Sequence, residues 1–168
     1  NQFQIFYQPQ VNISGQLIGV ESLIRWNHPE MGLIPPVDFL PIAEQAGIMS
    51  EIDRWVFQRA CKDINALISK SNNPELTISI NIGGSLLGQS DLFEQLSAIV
   101  IQEEVEPRRI QIEVTETTLV KNLDRSKSQM LQLKNMGFKF SLDDFGTGYS
   151  SFNYLRQFPI DEVKIDQS

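Results

Sequence analysis

Apolar and polar positions alternate with a period of two in six short stretches of the chain, and with a helical period in the segments between them. The alternation marks strand candidates at residues 3–8 (FQIFYQ), 17–26 (LIGVESLIRW), 75–82 (ELTISINI), 109–115 (RIQIEVT), 138–144 (FKFSLDD) and 162–166 (EVKID). Between the second and third, the spacing of Ile52, Trp55, Val56, Ala60, Ile64, Leu67 and Ile68 predicts an amphipathic helix beginning near Ser50. Ser50, with Asp53 three residues later, resembles a capping box for that helix. Further helices are expected after Ser90 (Leu92, Phe93, Leu96, Val100), over residues 124–136 (Met130, Leu133, Met136) with Gly137 as the C-terminal stop, and briefly after Tyr149.

Strands and helices that alternate through short connections build βα units, hence a mainly parallel sheet with helices packed outside it. The first two strands are joined by VNISG, which reads as a hairpin-like turn, so the first strand is expected to run against the others. Asn81, Glu113 and Asp143 fall near the C-terminal ends of successive strands, each about one βα repeat from the last. Polar residues recurring at that place favour a (β/α) barrel. An open doubly wound sheet would carry a glycine-rich phosphate loop after its first strand, and the sequence has none there.

Composition narrows the class of protein. The 168 residues are 41% hydrophobic and 21% charged, which suits one globular domain or part of one. The net charge is −7 and the basic residues are scattered, which argues against a surface that tracks DNA or RNA. A phosphate-bearing ligand would need metal ions or a local Arg or Lys. No apolar run approaches the roughly 18–20 residues of a membrane span, and NQFQIFYQPQ lacks the character of a signal peptide. The single Cys61 rules out an internal disulfide. A soluble chain in the reducing cytoplasm, with no direct membrane contact, is the expectation.

If the strand ends lie side by side, Glu21, Asn81, Glu113 and Asp143 converge on one pocket. All four offer oxygen, which suits a hard ion such as Mg²⁺ or Mn²⁺, whereas the lone His28 and Cys61 cannot build a zinc or copper site. Without a cation, the carboxylates would repel one another. Asp143 and Asp144 are adjacent, and both reach one site only if the strand ends there, which Gly146 and Gly148 would allow. Asp143 would hold one ion and Asp144 a second, the arrangement for in-line attack of water on a phosphodiester. Lys164 would orient or help deprotonate that water, or neutralise phosphate charge. Duller readings stay open: an Asp-Asp turn or helix cap, a solvated strand end at Glu113 and Glu116, a loop residue at His28. Glu21 resists such a reading because it interrupts an apolar run.

Taken together the motifs resemble one family, the EAL domains, phosphodiesterases that open cyclic di-GMP to pGpG. The matching text runs from YQPQV (7–11) through GVESLIRWNHPEMGLIPPVDFLPIAEQAG (19–47), WVFQRAC (55–61), ISINIGGSLL (78–87), IQIEVTET (110–117) and LDDFGTGYSSFNYL (142–155) to FPIDEVKIDQS (158–168). The resemblance implies a modified TIM (β/α)8-type barrel with an antiparallel first strand, here incomplete at about six strands, residues 1–168 being the N-terminal two-thirds of one domain. It implies metal ligation by Glu21, Asn81, Glu113 and Asp143, Asp144 on the second of two Mg²⁺ or Mn²⁺ ions, and Lys164 near the attacking water; Ca²⁺ is expected to inhibit. Glu116 matches the glutamate that steadies the loop carrying the paired Asp, and Gln8, Leu23, Arg25 and Asp161 match positions lining the dinucleotide pocket.

The chain departs from the family in three places. Glu-Ala-Leu reads Glu21-Ser22-Leu23. Gly83 and Leu86 stand where Ser and Gln are usual, and the family's last third, with a further metal-binding and catalytic glutamate, is not among these residues, so activity is expected of the parent domain rather than of the isolated piece. Open strand edges would favour a homodimer. The alternative to an enzyme is a non-catalytic cyclic di-GMP receptor or a dimerisation module.

Overall fold

The computed structural model describes residues 2–120, 123–145 and 157–165. Its frame is one sheet. Strands β1 (Phe3–Val11), β2 (Leu17–His28), β4 (Thr77–Asn81), β5 (Ile110–Thr115), β6 (Lys139–Phe145) and β7 (Glu162–Ile165) lie side by side in chain order, and a short β3 (Gly32–Ile34) pairs with the far end of β2. β1 is antiparallel to β2, and every neighbouring pair from β2 onward, β3 aside, is parallel. Strand order that follows chain order without reversal is that of a barrel wall, as the sequence predicts, rather than of a doubly wound sheet. The expected six strands are all present; β3 is the addition.

The β1–β2 turn forms as the sequence suggests. Asn12 Oδ1 accepts the N–H groups of Ser14 and Gln16, and Gly15 sits at φ 76°, where a side chain would be strained. The segment after β3, for which no element is predicted, contains helix α1 (Pro36–Gln45), with proline in its first turn where the missing N–H costs nothing. Phe39 of α1 packs against Phe3 and Trp26, and Trp55 of α2 (Met49–Ser71) packs against Phe3, so an aromatic cluster fastens both helices to the hairpin. His28 closes a turn, its Nδ1 accepting the N–H groups of Glu30 and Met31.

The capping box expected at Ser50 is not formed. α2 begins at Met49, the Ser50 hydroxyl donates to Glu51, and Asp53 turns inward to the backbone of Gly83. Helices α3 (Gly84–Leu87), α4 (Leu92–Gln102), α5 (Glu116–Val120) and α6 (Leu123–Met136) follow β4, η-turn residues Pro107–Arg109 precede β5, and Gly137 at φ 114° ends α6. The helix expected after Tyr149 lies outside the described residues. No described helix is long and apolar enough to cross a membrane.

Alternation along the strands separates two environments. Val20, Ile24, Ile78, Ile80, Ile110, Ile112, Val114, Phe140 and Leu142 belong to the buried core that also holds Ile52, Val56, Phe57, Ala60 and Ile64 of α2 and Leu96 of α4. The opposite set, Glu21, Ser79, Asn81, Gln111, Glu113, Ser141 and Asp143, is polar. The helices therefore supply stability from one face of the sheet, and the other face is left for chemistry.

Candidate active site

Register decides which polar residues meet. Glu21 is level with Ser79, Asn81 with Glu113, Glu113 with Ser141, and Thr115 with Asp143. Each strand is thus offset along its neighbours, and the acids at the C-terminal ends climb around the wall to face a common centre. Lys164 from β7 occupies that centre. Its Nζ lies 2.9 Å from Glu113 Oε2, 3.3 Å from Glu21 Oε2 and 3.5 Å from Asp143 Oδ1. Asn81 Nδ2 donates to the other Glu21 oxygen at 3.2 Å. Four of the predicted residues and the predicted lysine are brought together as expected.

Electrostatically the cluster is unbalanced, with three carboxylates around one ammonium. Burial pushes the Glu113 carboxyl up to about 7, the Lys164 ammonium pulling against that and the Glu21 charge adding to it. Burial works against the Lys164 ammonium, but Glu113, Glu21 and Asp143 outweigh it and hold the ammonium above its ordinary value. Lys164 is therefore charged at neutral pH, and Glu113 is the carboxyl that burial brings toward that range. Among the described residues, Glu113 Oε1 and Ser141 Oγ, from partnered positions on β5 and β6, are buried with no partner at hydrogen-bond geometry, though the Ser79 hydroxyl is near enough to Glu113 to favour its charged form.

An oxygen-donor set with surplus negative charge suits a hard divalent cation. Among the described residues, however, no three Asp, Glu, His or Cys side chains are gathered tightly enough to hold an ion as they stand. The ammonium holds the carboxylates instead. Any ion that takes Glu21, Glu113 and Asp143 as ligands must move Lys164 aside.

The paired aspartates part company through the backbone. Asp144 adopts φ 54°, and the β6–β7 register slips between Leu142 and Phe145. A strand irregularity thus falls at Asp144 itself; Gly146 and Gly148, expected to allow the strand to end, lie outside the described residues. Asp144 is exposed at the strand end, and Glu116 is buried at the first residue of α5. The Thr115 hydroxyl accepts the Thr118 N–H and fixes the start of that helix.

Gln8 is the register partner of Glu21, and Leu23 and Arg25 follow at two-residue steps along β2, so all three share the Glu21 face and extend it outward. Arg25 stacks on the Phe6 ring at 5.5 Å. Asp161 does not belong with them. It stands just before β7, where its Oδ2 accepts the Phe140 N–H at 2.9 Å and its Oδ1 pairs with Lys134 of α6. An odd offset from Lys164 puts it on the helix side of the sheet, and it bonds at the N-terminal end of β6, away from the cluster. Asp53, read as part of a helix cap, is the residue near the site that the sequence misplaced. Its signal was the one that exposed Glu21, an acid inside an apolar periodicity.

The EAL domain family model matches residues 1–168. The bifunctional diguanylate cyclase/cyclic di-GMP phosphodiesterase MucR of Pseudomonas aeruginosa is 38% identical over 167 residues, 99% of this chain and 24% of that protein. The cyclic di-GMP phosphodiesterase PdeR of Escherichia coli is 36% identical over 167 residues, 99% of this chain and 25% of that protein. A solved complex of the PaMucR phosphodiesterase with c-di-GMP superposes with a TM-score of 0.91 at 38% identity, covering 98% of this chain and 67% of that one. The chain spans about a quarter of the length of these curated relatives.

Proposed function

The chain belongs to the EAL domain family, and from that premise we propose that its site binds cyclic di-GMP and, in the complete domain, hydrolyses it to pGpG with two Mg²⁺ or Mn²⁺ ions. The observation that carries this reading is the ring of Glu21, Glu113 and Asp143 around Lys164 at the strand ends, with Asn81 bonded to Glu21. The names of the relatives support the substrate. We read residues 1–168 as the N-terminal two-thirds of one such domain, which the coverage of the solved complex supports.

Bound there, the ions would supply charge neutralisation on the phosphodiester and a more acidic water. Glu21, Asn81, Glu113 and Asp143 would hold one of them and Asp144 the other. Lys164, released from its three carboxylates, would lie beside the attacking water and orient it or stabilise the phosphate charge. Arg25 offers a guanidinium to a phosphate oxygen, and Gln8 and Leu23 line the same face. The water oxygen bonds to phosphorus, the P–O3′ bond breaks, and the 3′ oxygen takes up a proton to give linear pGpG. Glu116 would steady the loop carrying Asp143 and Asp144.

The test is calorimetric titration of cyclic di-GMP into the chain with Ca²⁺, followed by chromatography of the products in Mg²⁺ or Mn²⁺. Binding with pGpG formation supports catalysis by these residues alone. Binding without product favours the second reading, a dinucleotide receptor, for which Gly83 and Leu86 in the turn after Asn81 are the motivating departures. No binding would overturn both.

A further inference from the structure

Asp53 is an acid in an apolar setting. On α2 its buried neighbours are Ile52, Val56, Phe57 and Ala60, and it is itself only 6% exposed. Its Oδ2 accepts the Gly83 N–H at 2.9 Å. Gly83 lies two residues beyond Asn81, at the turn from β4 into α3. The intervening N–H, that of Ile82, donates to the Glu113 carbonyl at 3.0 Å, and the Gly83 carbonyl accepts the N–H groups of Leu86 and Leu87. The two peptides that follow Asn81 are thus pinned on one side to the strand carrying Glu113 and on the other to α2.

The approach is close. A Cβ at position 83 would stand 3.1 Å from Asp53 Oδ2, so a side chain there would require Asp53 to shift by a few tenths of an ångström. Gly83, the flanking residue of α3, receives no side-chain cap from its own helix, and Asp53 supplies the acceptor from across the fold. A buried carboxyl without a bonded partner would be costly, which is the physical reason for the pair to form. Burial raises the Asp53 carboxyl to about 7 while the Gly83 N–H opposes that shift; its Oδ2 remains an acceptor in either protonation state.

We propose that Asp53 is a positioning residue, which fixes the turn after β4 so that Asn81 keeps its amide on Glu21 and its carbonyl oxygen available to the site. The value of that placement for ligand binding rests on the function proposed above; the link from Asp53 to Gly83 to Asn81 does not.

The experiment uses the whole chain as Asp53→Ala and Asp53→Asn, with two readouts: amide hydrogen exchange at Ile82 and Gly83, and Mn²⁺ titration followed calorimetrically. Asp53→Ala is expected to speed Gly83 exchange at least fivefold and to weaken Mn²⁺ binding about three- to tenfold, consistent with one lost charge-assisted hydrogen bond. Asp53→Asn retains a carbonyl acceptor and should restore both readouts most of the way. Unchanged Gly83 exchange in Asp53→Ala overturns the proposal, as does faster exchange with Mn²⁺ affinity intact. If Asp53→Ala does not fold, Asp53→Asn decides: wild-type Mn²⁺ affinity and Gly83 protection support the acceptor role, and loss of either overturns it. If the unaltered chain binds no Mn²⁺, the proposed function fails on its own, and Gly83 exchange still decides whether Asp53 holds the turn.

Discussion

Replacing Lys164 by Met removes the one positive charge from a ring of three carboxylates and leaves a side chain of similar length. At 2.9 Å and an effective dielectric constant of about 20, the attraction to Glu113 alone is roughly 6 kcal/mol before desolvation is subtracted. Truncating one member of a buried pair typically costs about 3–5 kcal/mol. The Lys164 side chain is 25% exposed, so solvent screens part of this, and the expected loss is about 2–3 kcal/mol at pH 8.5.

The pH dependence of that loss is the sharper test. Burial raises Glu113 from 4.5 to about 7 in the folded chain, Lys164 opposing the shift and Glu21 adding to it. A carboxyl raised in this way favours the folded state fully below its unfolded value, and that contribution is lost as pH rises through the folded value. In the unaltered chain the loss is complete soon above pH 7. Without Lys164 the folded value climbs further, so the variant should go on losing stability toward pH 8.5 while the parent levels off. Near pH 5.5, with the Glu113 carboxyl mostly protonated, the two should differ by about 1 kcal/mol or less. Urea unfolding in EDTA at pH 5.5 and 8.5 measures both quantities, and Mn²⁺ added at pH 8.5 should recover part of the deficit by replacing the lost cation. An equal destabilisation at both pH values would refute the reasoning, since it would mean that the Glu113 charge is not what Lys164 chiefly balances.

Arg25→Ala should weaken cyclic di-GMP binding about tenfold in calorimetry with no more than about 0.5 kcal/mol change in stability, because the guanidinium is partly exposed and its ring contact is to Phe6, itself exposed. Asp161→Ala should do the reverse: it removes the acceptor of the Phe140 N–H and the partner of Lys134, costing about 1–2 kcal/mol in urea unfolding, and leaves ligand affinity unchanged. Tyr7→Phe deletes the hydrogen bond from the Tyr7 hydroxyl to Asp63 on the helix side of the sheet; about 1 kcal/mol of stability should be lost, again without effect on binding.

Much of the frame can be read from residue pattern. Strand positions follow from alternation, because a sheet with one face in a core and the other lining a site demands a period of two. The helix over α2 is equally legible from Ile52, Val56, Ala60 and Ile64. Glu21 betrays itself as an acid in an apolar run, and Asn81, Glu113 and Asp143 by recurring at strand ends. Helix α1 was hidden by its prolines and β3 by its three-residue length. Asp53 was misassigned because Ser50 offered a local partner at the right spacing, whereas its acceptor role is completed by Gly83, 30 positions away in the chain.

The sequence by itself thus determined which residues face the core and which strand ends carry oxygen ligands, since both depend on periods within a single segment. Tertiary structure alone decided how those segments align. The offset of each strand against the next raises Glu21, Glu113 and Asp143 to a common centre and sets Lys164 among them, while the odd step from Lys164 to Asp161 sends that acid to the helix side. Alternation within a strand fixes which face each residue takes but leaves shifts by two residues open, and between parallel strands only the packing of the intervening segments chooses among them.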